Sequence, residues 1–126
     1  MAQAFLRVTW LQQPTSNVFR EHITRITSLA LEKRLFHVLF DVRKRDFITL
    51  SDQNWLLREI IPRYTGNTVR FAYVETVKGL EMMDTFRLQH AVMHTPWLKG
   101  KFDMELFLSP DEACLWLLGQ GENYII

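Results

Sequence analysis

The sequence predicts an α/β fold: one domain in which four strands form a mostly parallel sheet and about four helices cover it, in the order β-α-β-α-β-α-β-α. Three observations carry this prediction. Residues 35–42 are an almost unbroken apolar run, rich in branched and aromatic side chains and too short for an independent helix, as expected of an interior strand covered on both faces. Along the rest of the chain, capped helical periodicities alternate with strand-like runs. Such alternation requires crossover connections, which a mostly parallel sheet accommodates. An antiparallel first strand fits the same pattern.

Each element has its own signal. Leu6, Val8 and Trp10 alternate with Arg7 and Thr9, a period of two that marks a half-buried first strand, and Pro14 ends it. Thr15 or Ser16 then caps a helix in which Phe19, Ile23, Ile26 and Ala30 recur at helical spacing, with Arg20, Glu21, Glu32 and Lys33 outside the stripe. Asp41 marks the end of the second strand. Thr49 and Asp52 have T-x-x-D spacing, in which the hydroxyl accepts a backbone N–H and the carboxylate sits by the positive helix end. A helix is expected over 50–62, with Leu57, Ile60, Ile61 and Tyr64 inward. Gly66 and Asn67 turn the chain into a third strand over 69–75. Leu80, Met83, Leu88, Ala91 and Val92 predict a helix over 79–94, closed by Pro96 and Gly100. Phe102, Met104, Leu106 and Leu108 alternate with Asp103 and Glu105, as in an edge strand with one wet face. Ser109, Pro110 and Glu112 make an S-P-x-E helix start, after which Ala113, Trp116 and Leu117 face inward. Gly119 and Gly121 break that helix and leave a tail over 119–126.

Composition narrows the function classes. A chain of 126 residues is the size of one domain, and 48% hydrophobic with 23% charged residues is ordinary for a globular protein. Fifteen basic against fourteen acidic residues leave a net charge of +1, so nucleic acid is not an expected partner. The single cysteine, Cys114, cannot form an internal disulfide, which suits a cytoplasmic protein. The first ten residues lack the pattern of a signal peptide, and no apolar run approaches the ~18–20 residues that span a bilayer, so no membrane insertion is expected.

Residues 35–63 resemble the second strand and following helix of the STAS-like domains, relatives of the SpoIIAA-type anti-sigma-factor antagonists. The likeness rests on a strand ending in Asp41-Val42-Arg43, a capped I-T-x-x-D-Q-x-W from Ile48 to Trp55, and a helix closing with Ile61-Pro62-Arg63. The F-L-S-P-D-E-A-C-L-W-L stretch from Phe107 to Leu117 is similar to the family's last strand and helix. The resemblance implies a bacterial regulatory or protein-binding domain without chemistry of its own, hence no catalytic residues and no cofactor. Classical antagonists carry a D-S-S-G-like turn whose serine is phosphorylated, and this chain departs from that pattern. Thr49 and Ser51 are the hydroxyls at the nearest position, where a phosphate would meet a helix N-terminus. Capping preferences alone account for Thr49, and favour Ser51 as an ordinary first-turn residue over a phosphorylation switch.

Other residues are candidates for chemistry. Arg43, Lys44 and Arg45, followed by Asp46, form the one dense basic run, in a loop where an α/β sheet would present an anion or a partner; Arg70 adds to it only if it faces the same way. No glycine lies in the run, so a backbone phosphate cradle is excluded. His90 and His94 lie four apart, spacing that can place two imidazoles on a metal, but no third ligand stands out and no metal is expected. Cys114 has no histidine nearby in sequence to activate it and reads as a small core residue. Trp97, in the loop after the third helix, is either a lid or an interface aromatic. The apolar end Tyr124-Ile125-Ile126 either docks on its own domain or adds to a neighbouring subunit, so a homodimer is one expected arrangement. A protein partner is the first reading. The alternative is a small apolar, lipid-like ligand held by Met82, Met83, Phe86 or Met93.

Overall fold

In the computed structural model, which describes residues 5–45, 47–81, 84–95 and 102–118, the strands join into one four-stranded, all-parallel sheet of order β1-β2-β3-β4. The strands are β1, Leu6–Thr9; β2, His37–Asp41; β3, Val69–Val74; and β4, Phe102–Phe107. Helix α1 is Ser16–Lys33, and α2, Leu50–Trp55, runs on through a π turn, Leu56–Ile60, and a 3-10 turn, Ile61–Tyr64. Helices α3, Val77–Glu81, and α4, Asp84–Met93, precede β4, and α5, Pro110–Leu118, follows it. Strand β1 runs parallel to β2 with Leu6 opposite Val38, so the antiparallel alternative is not adopted. Five α-helices are described rather than about four, because 77–81 and 84–93, both within or next to the predicted 79–94 helix, are described as separate segments. The first segment starts two residues early, where Thr76 Oγ1 accepts the Gly79 N–H at 3.0 Å.

Each strand lies beside the one before it. Right-handed crossovers repeated in one direction deliver successive helices to the same face of the sheet. Phe40, Phe71, Tyr73, Phe102 and Met104 point to that face and meet Phe19 and Ile23 of α1, Leu56 to Tyr64 of the α2 extension, and Leu88 and Val92 of α4. The rings of Phe40, Tyr64, Phe71 and Phe102 touch edge to face with centroids 4.9 to 5.9 Å apart, the geometry aromatic quadrupoles favour. The alternate residues Leu39, Ala72 and Val74 point the other way and are covered by Ala113 and Leu117 of α5. On the outer strands of this second face, Arg7, Thr9, Asp103 and Glu105 are exposed, which protects both edges from pairing with other chains. β4 is thus the wet edge its alternation predicts.

Two helical stripes differ by a residue from the periodic reading. In α1 the buried set is Phe19, Ile23, Thr27 and Ala30, so Thr27 replaces Ile26 at depth. Its hydroxyl donates to the Ile23 carbonyl at 2.8 Å, which lets a polar side chain sit in an apolar layer. After α2 the inward set begins at Leu56 rather than Leu57. The cause is the π turn, in which the Ile61 N–H bonds to the Leu56 carbonyl five residues back and brings both side chains inward. Pro62, which lacks an N–H and cannot continue the ladder, sits just after it.

The caps follow the sequence closely. Thr15 Oγ1 accepts from the Val18 N–H and Thr49 Oγ1 from the Asp52 N–H at 3.1 Å. Ser109 Oγ faces the Glu112 N–H at 3.5 Å, at the start of α5. Helix α1 ends with Arg34 in the left-handed region at φ 54°, its N–H returning to the Ala30 carbonyl.

Candidate functional site

The loops leaving the C-terminal strand ends gather at one edge of the sheet, and the basic run lies there. It is not the basic surface the sequence suggests. Arg43 folds back onto Asp41, with Nε donating to Oδ1 at 2.9 Å and Nη2 to Oδ2 at 2.7 Å. This two-pronged bond, against burial, holds the Asp41 carboxyl below the usual range, and it raises Arg43 in turn. Lys44 is exposed. Arg45, expected on a partner or anion surface, is buried with 7% of its surface exposed. Its guanidinium carbon lies 5.8 Å from the Phe19 ring centre. Asp46 lies outside the described residues.

Arg45 enters a buried polar group made by Tyr73, Glu75, Asp84 and Thr85. Burial pushes Arg45 down from its ordinary value, while Tyr73, Asp84 and Glu75 act to hold its charge. Burial pushes Tyr73 up, and Glu75 up as well, although the Thr85 hydroxyl donating to Glu75 Oε1 works against the latter shift. Glu75 Oε2 and Arg45 Nε are buried without a hydrogen-bond partner among the described residues. Asp84 Oδ2 accepts the Ile48 N–H at 2.6 Å, and Gln53 Nε2 donates to the Ile48 carbonyl at 2.7 Å. Gln13 bonds both backbone groups of Phe47, at 3.1 and 3.2 Å. The β2–α2 loop is therefore strapped to three other parts of the fold.

Beside this strap is a cleft of about 240 Å³ between residues 13–16 and 47–49, with Asp52 in its wall. Asp52 is buried, and its Oδ1 accepts from Ser16 Oγ at 2.7 Å and from Arg20 Nε at 2.8 Å. Arg20 Nη2 also donates to Ser51 Oγ at 3.1 Å, and the guanidinium lies 5.2 Å from the Trp55 ring centre. Thr49 and Ser51 are both exposed, Thr49 as the helix cap and Ser51 against Arg20.

The same edge carries a second feature. Each of the four strand ends is followed by an exposed large apolar side chain: Leu11 after β1 (75% exposed), Phe47 and, opening α2, Leu50 after β2 (42% and 55%), Val77, opening α3, after β3 (63%) and Leu108 after β4 (53%). Strand spacing of about 4.8 Å spreads the four loops over roughly 15 Å.

The remaining candidates lie elsewhere. Arg70, the second residue of β3, lies at the opposite end of the strand and donates to the Trp116 carbonyl at 2.6 Å, so it does not join the Arg43 edge. Cys114 is half-buried on the α5 face, and burial pushes its thiol up, the reverse of an activated nucleophile. His90, on α4, and His94, just beyond its end, are exposed with stacked rings. Among the described residues no three His, Cys, Asp or Glu converge to hold a metal. Phe86 and Met93 line a shallow groove on α4, and the most enclosed apolar cavity described, walled by Ile23, Phe40 and Leu88, holds about 20 Å³, room for one water rather than a lipid. Trp97, Met82, Met83 and the tail over 119–126 lie outside the described residues. No described helix is long and apolar enough to cross a membrane.

Sequence reading singled out Arg43 to Arg45 and the Thr49 cap but missed the groups that fix them. Glu75 carried a faint signal, as a charged end to an otherwise apolar strand, whereas Gln13 and Asp84 carried none. Comparison of the chain with family models, with curated proteins and with solved structures found no match in any of the three.

Proposed function

We propose that this chain is a STAS-like, non-enzymatic regulatory domain that binds a protein partner through the loops at the C-terminal edge of its sheet. The observation that carries this reading is the exposed apolar side chain that follows every one of those strand ends, since clustered exposed apolar residues mark interaction sites. The strapped β2–α2 loop supports it, because a loop bonded through Phe47 and Ile48 presents Phe47 and Leu50 with little ordering cost on binding. The all-parallel sheet agrees with the β-α alternation expected of the sequence.

Ser51 is the phosphate acceptor that best fits such a switch. Its hydroxyl is exposed and already touches Arg20, which would pair with a phosphate. That pairing would draw Arg20 from the buried Asp52 and loosen the contact between α1 and α2 beside Phe47 and Leu50. The test compares partner capture by the wild-type chain and by a Leu11→Ser, Phe47→Ser, Leu50→Ser variant, with Leu29→Ser on α1 as control. A protein retained by wild type and control but lost by the triple variant supports the reading. Equal retention by all three overturns it.

A further inference from the structure

The buried polar group beneath the partner-binding edge sets the Thr85 hydroxyl between the carboxyls of Glu75 and Asp84. Thr85 Oγ1 donates to Glu75 Oε1 and lies 3.3 Å from Asp84 Oδ1. A hydroxyl has a single proton, so it serves one carboxyl at a time. Asp84 does not depend on it, because the Thr85 N–H reaches its Oδ1 at 2.7 Å and the Ile48 N–H its Oδ2 at 2.6 Å. Glu75 has no such second donor. Its Oε2 is buried without a hydrogen-bond partner among the described residues and faces the start of α3, where a Cβ on Gly79 would stand 3.5 Å away. A buried carboxylate oxygen in that state costs far more when charged than when neutral. The donors therefore seat the charge on Asp84 and the proton on Glu75, and burial, with the Asp84 charge added, raises the Glu75 carboxyl.

Ionisation would upset this arrangement. Among the described residues, the charges that face Glu75 are Asp84 from α4 and Arg45 from the β2–α2 loop; Tyr73 from β3 is held neutral by burial, and Thr76 and Gly79 at the start of α3 carry no charge. With Glu75 neutral, the buried charges of Arg45 and Asp84 match. With Glu75 ionised, it repels Asp84 across the Thr85 hydroxyl and attracts Arg45, whose Nε is also unpaired. Asp84 holds Ile48, and Arg45 lies three residues before it in the same loop. Both forces therefore act on the strap.

We propose that Glu75 is a proton-operated latch for the β2–α2 loop: its neutral carboxyl keeps the Asp84–Ile48 bond, and its ionisation loosens that bond and with it the presentation of Phe47 and Leu50. Control of a partner by this latch rests on the binding edge proposed above; the latch itself does not, and its test needs no partner. Carbon-13 NMR of the wild-type chain reads the Glu75 carboxyl, and hydrogen exchange reads the Ile48 amide, from about pH 4.5 to about pH 8. The expected Glu75 midpoint lies above the ordinary value of about 4.5. Protection of Ile48, corrected for the intrinsic exchange rate, should fall by up to about tenfold per pH unit as pH rises toward that midpoint and then level off, because an opening that frees the carboxyl releases one proton. Ile48 should remain less protected than Leu39 in β2, since the loop opens without the sheet. Glu75→Gln keeps the shape of the side chain and cannot ionise, so its Ile48 protection should stay level over the same range. A Glu75 midpoint at or below the ordinary value, Ile48 protection equal to that of Leu39 throughout, or a fall that persists in Glu75→Gln would each overturn the proposal.

Discussion

One face of the sheet is packed by three helical segments around four interlocking aromatic rings, whereas the other is sealed by the nine residues of α5 over Leu39, Ala72 and Val74. The aromatic face is held by apolar volume. The α5 face is held by close approach, with Ala72 and Ala113 both fully buried, and by Arg70, whose Nη1 donates to a carbonyl in the last turn of α5. A cation at that helix end also meets the negative end of the helix dipole. Fewer partners thus make the second face the place where local opening should begin.

The largest test of this contrast is Phe71→Ala, which removes the ring that touches Phe40, Tyr64 and Phe102 and should cost about 3–5 kcal/mol in urea denaturation, with the whole domain affected. Leu117→Ala should cost about 2–3 kcal/mol, at the low end for a buried leucine because α5 can settle onto the sheet. Hydrogen exchange would then rise first in α5, and uniform acceleration across the sheet would count against separate faces. Arg70→Met, which keeps most of the stem and loses the charged bond, should cost about 1–2 kcal/mol and speed exchange in the last turn of α5 alone.

The two faces also titrate oppositely. Asp41 continues the α5 face, and its carboxyl is held low, chiefly by Arg43; Glu75 continues the aromatic face, and its carboxyl is held high by burial. The lowered Asp41 contributes stability that is present above its unfolded value of about 4 and lost as pH falls through its folded value. The raised Glu75 contributes stability present below about 4.5 and lost as pH rises through its folded value. Denaturation midpoints across pH should therefore fall on both sides of a maximum near pH 4–5 from these two groups. Asp41→Asn should flatten the acid limb and Glu75→Gln the other, and a profile unchanged by Glu75→Gln would remove that group from the account.

Much of this architecture was legible from local patterns. Helix starts at Thr15, Thr49 and Ser109 were readable because a cap is made by residues three apart, and the 35–42 run could serve only as an interior strand. The π turn was not legible, since a period of 3.6 places Leu57 inward and only the five-residue bond from Ile61 to Leu56 reveals the shift. Thr27 was missed for a related reason, because a buried threonine is recognisable only once its hydroxyl is seen bonded to its own helix.

Local sequence determined the elements, their alternation and the parallel class, since hydrophobic period and capping act within a few residues. Tertiary structure decided the fate of the basic run. Three adjacent cations look alike in a sequence, but Asp41 two residues away captures Arg43, while Phe19, Tyr73, Glu75 and Asp84, distant along the chain, surround Arg45 and leave Lys44 to the solvent. A charge is buried only where opposite charge and polar groups converge on it, and that convergence is a property of the packed fold.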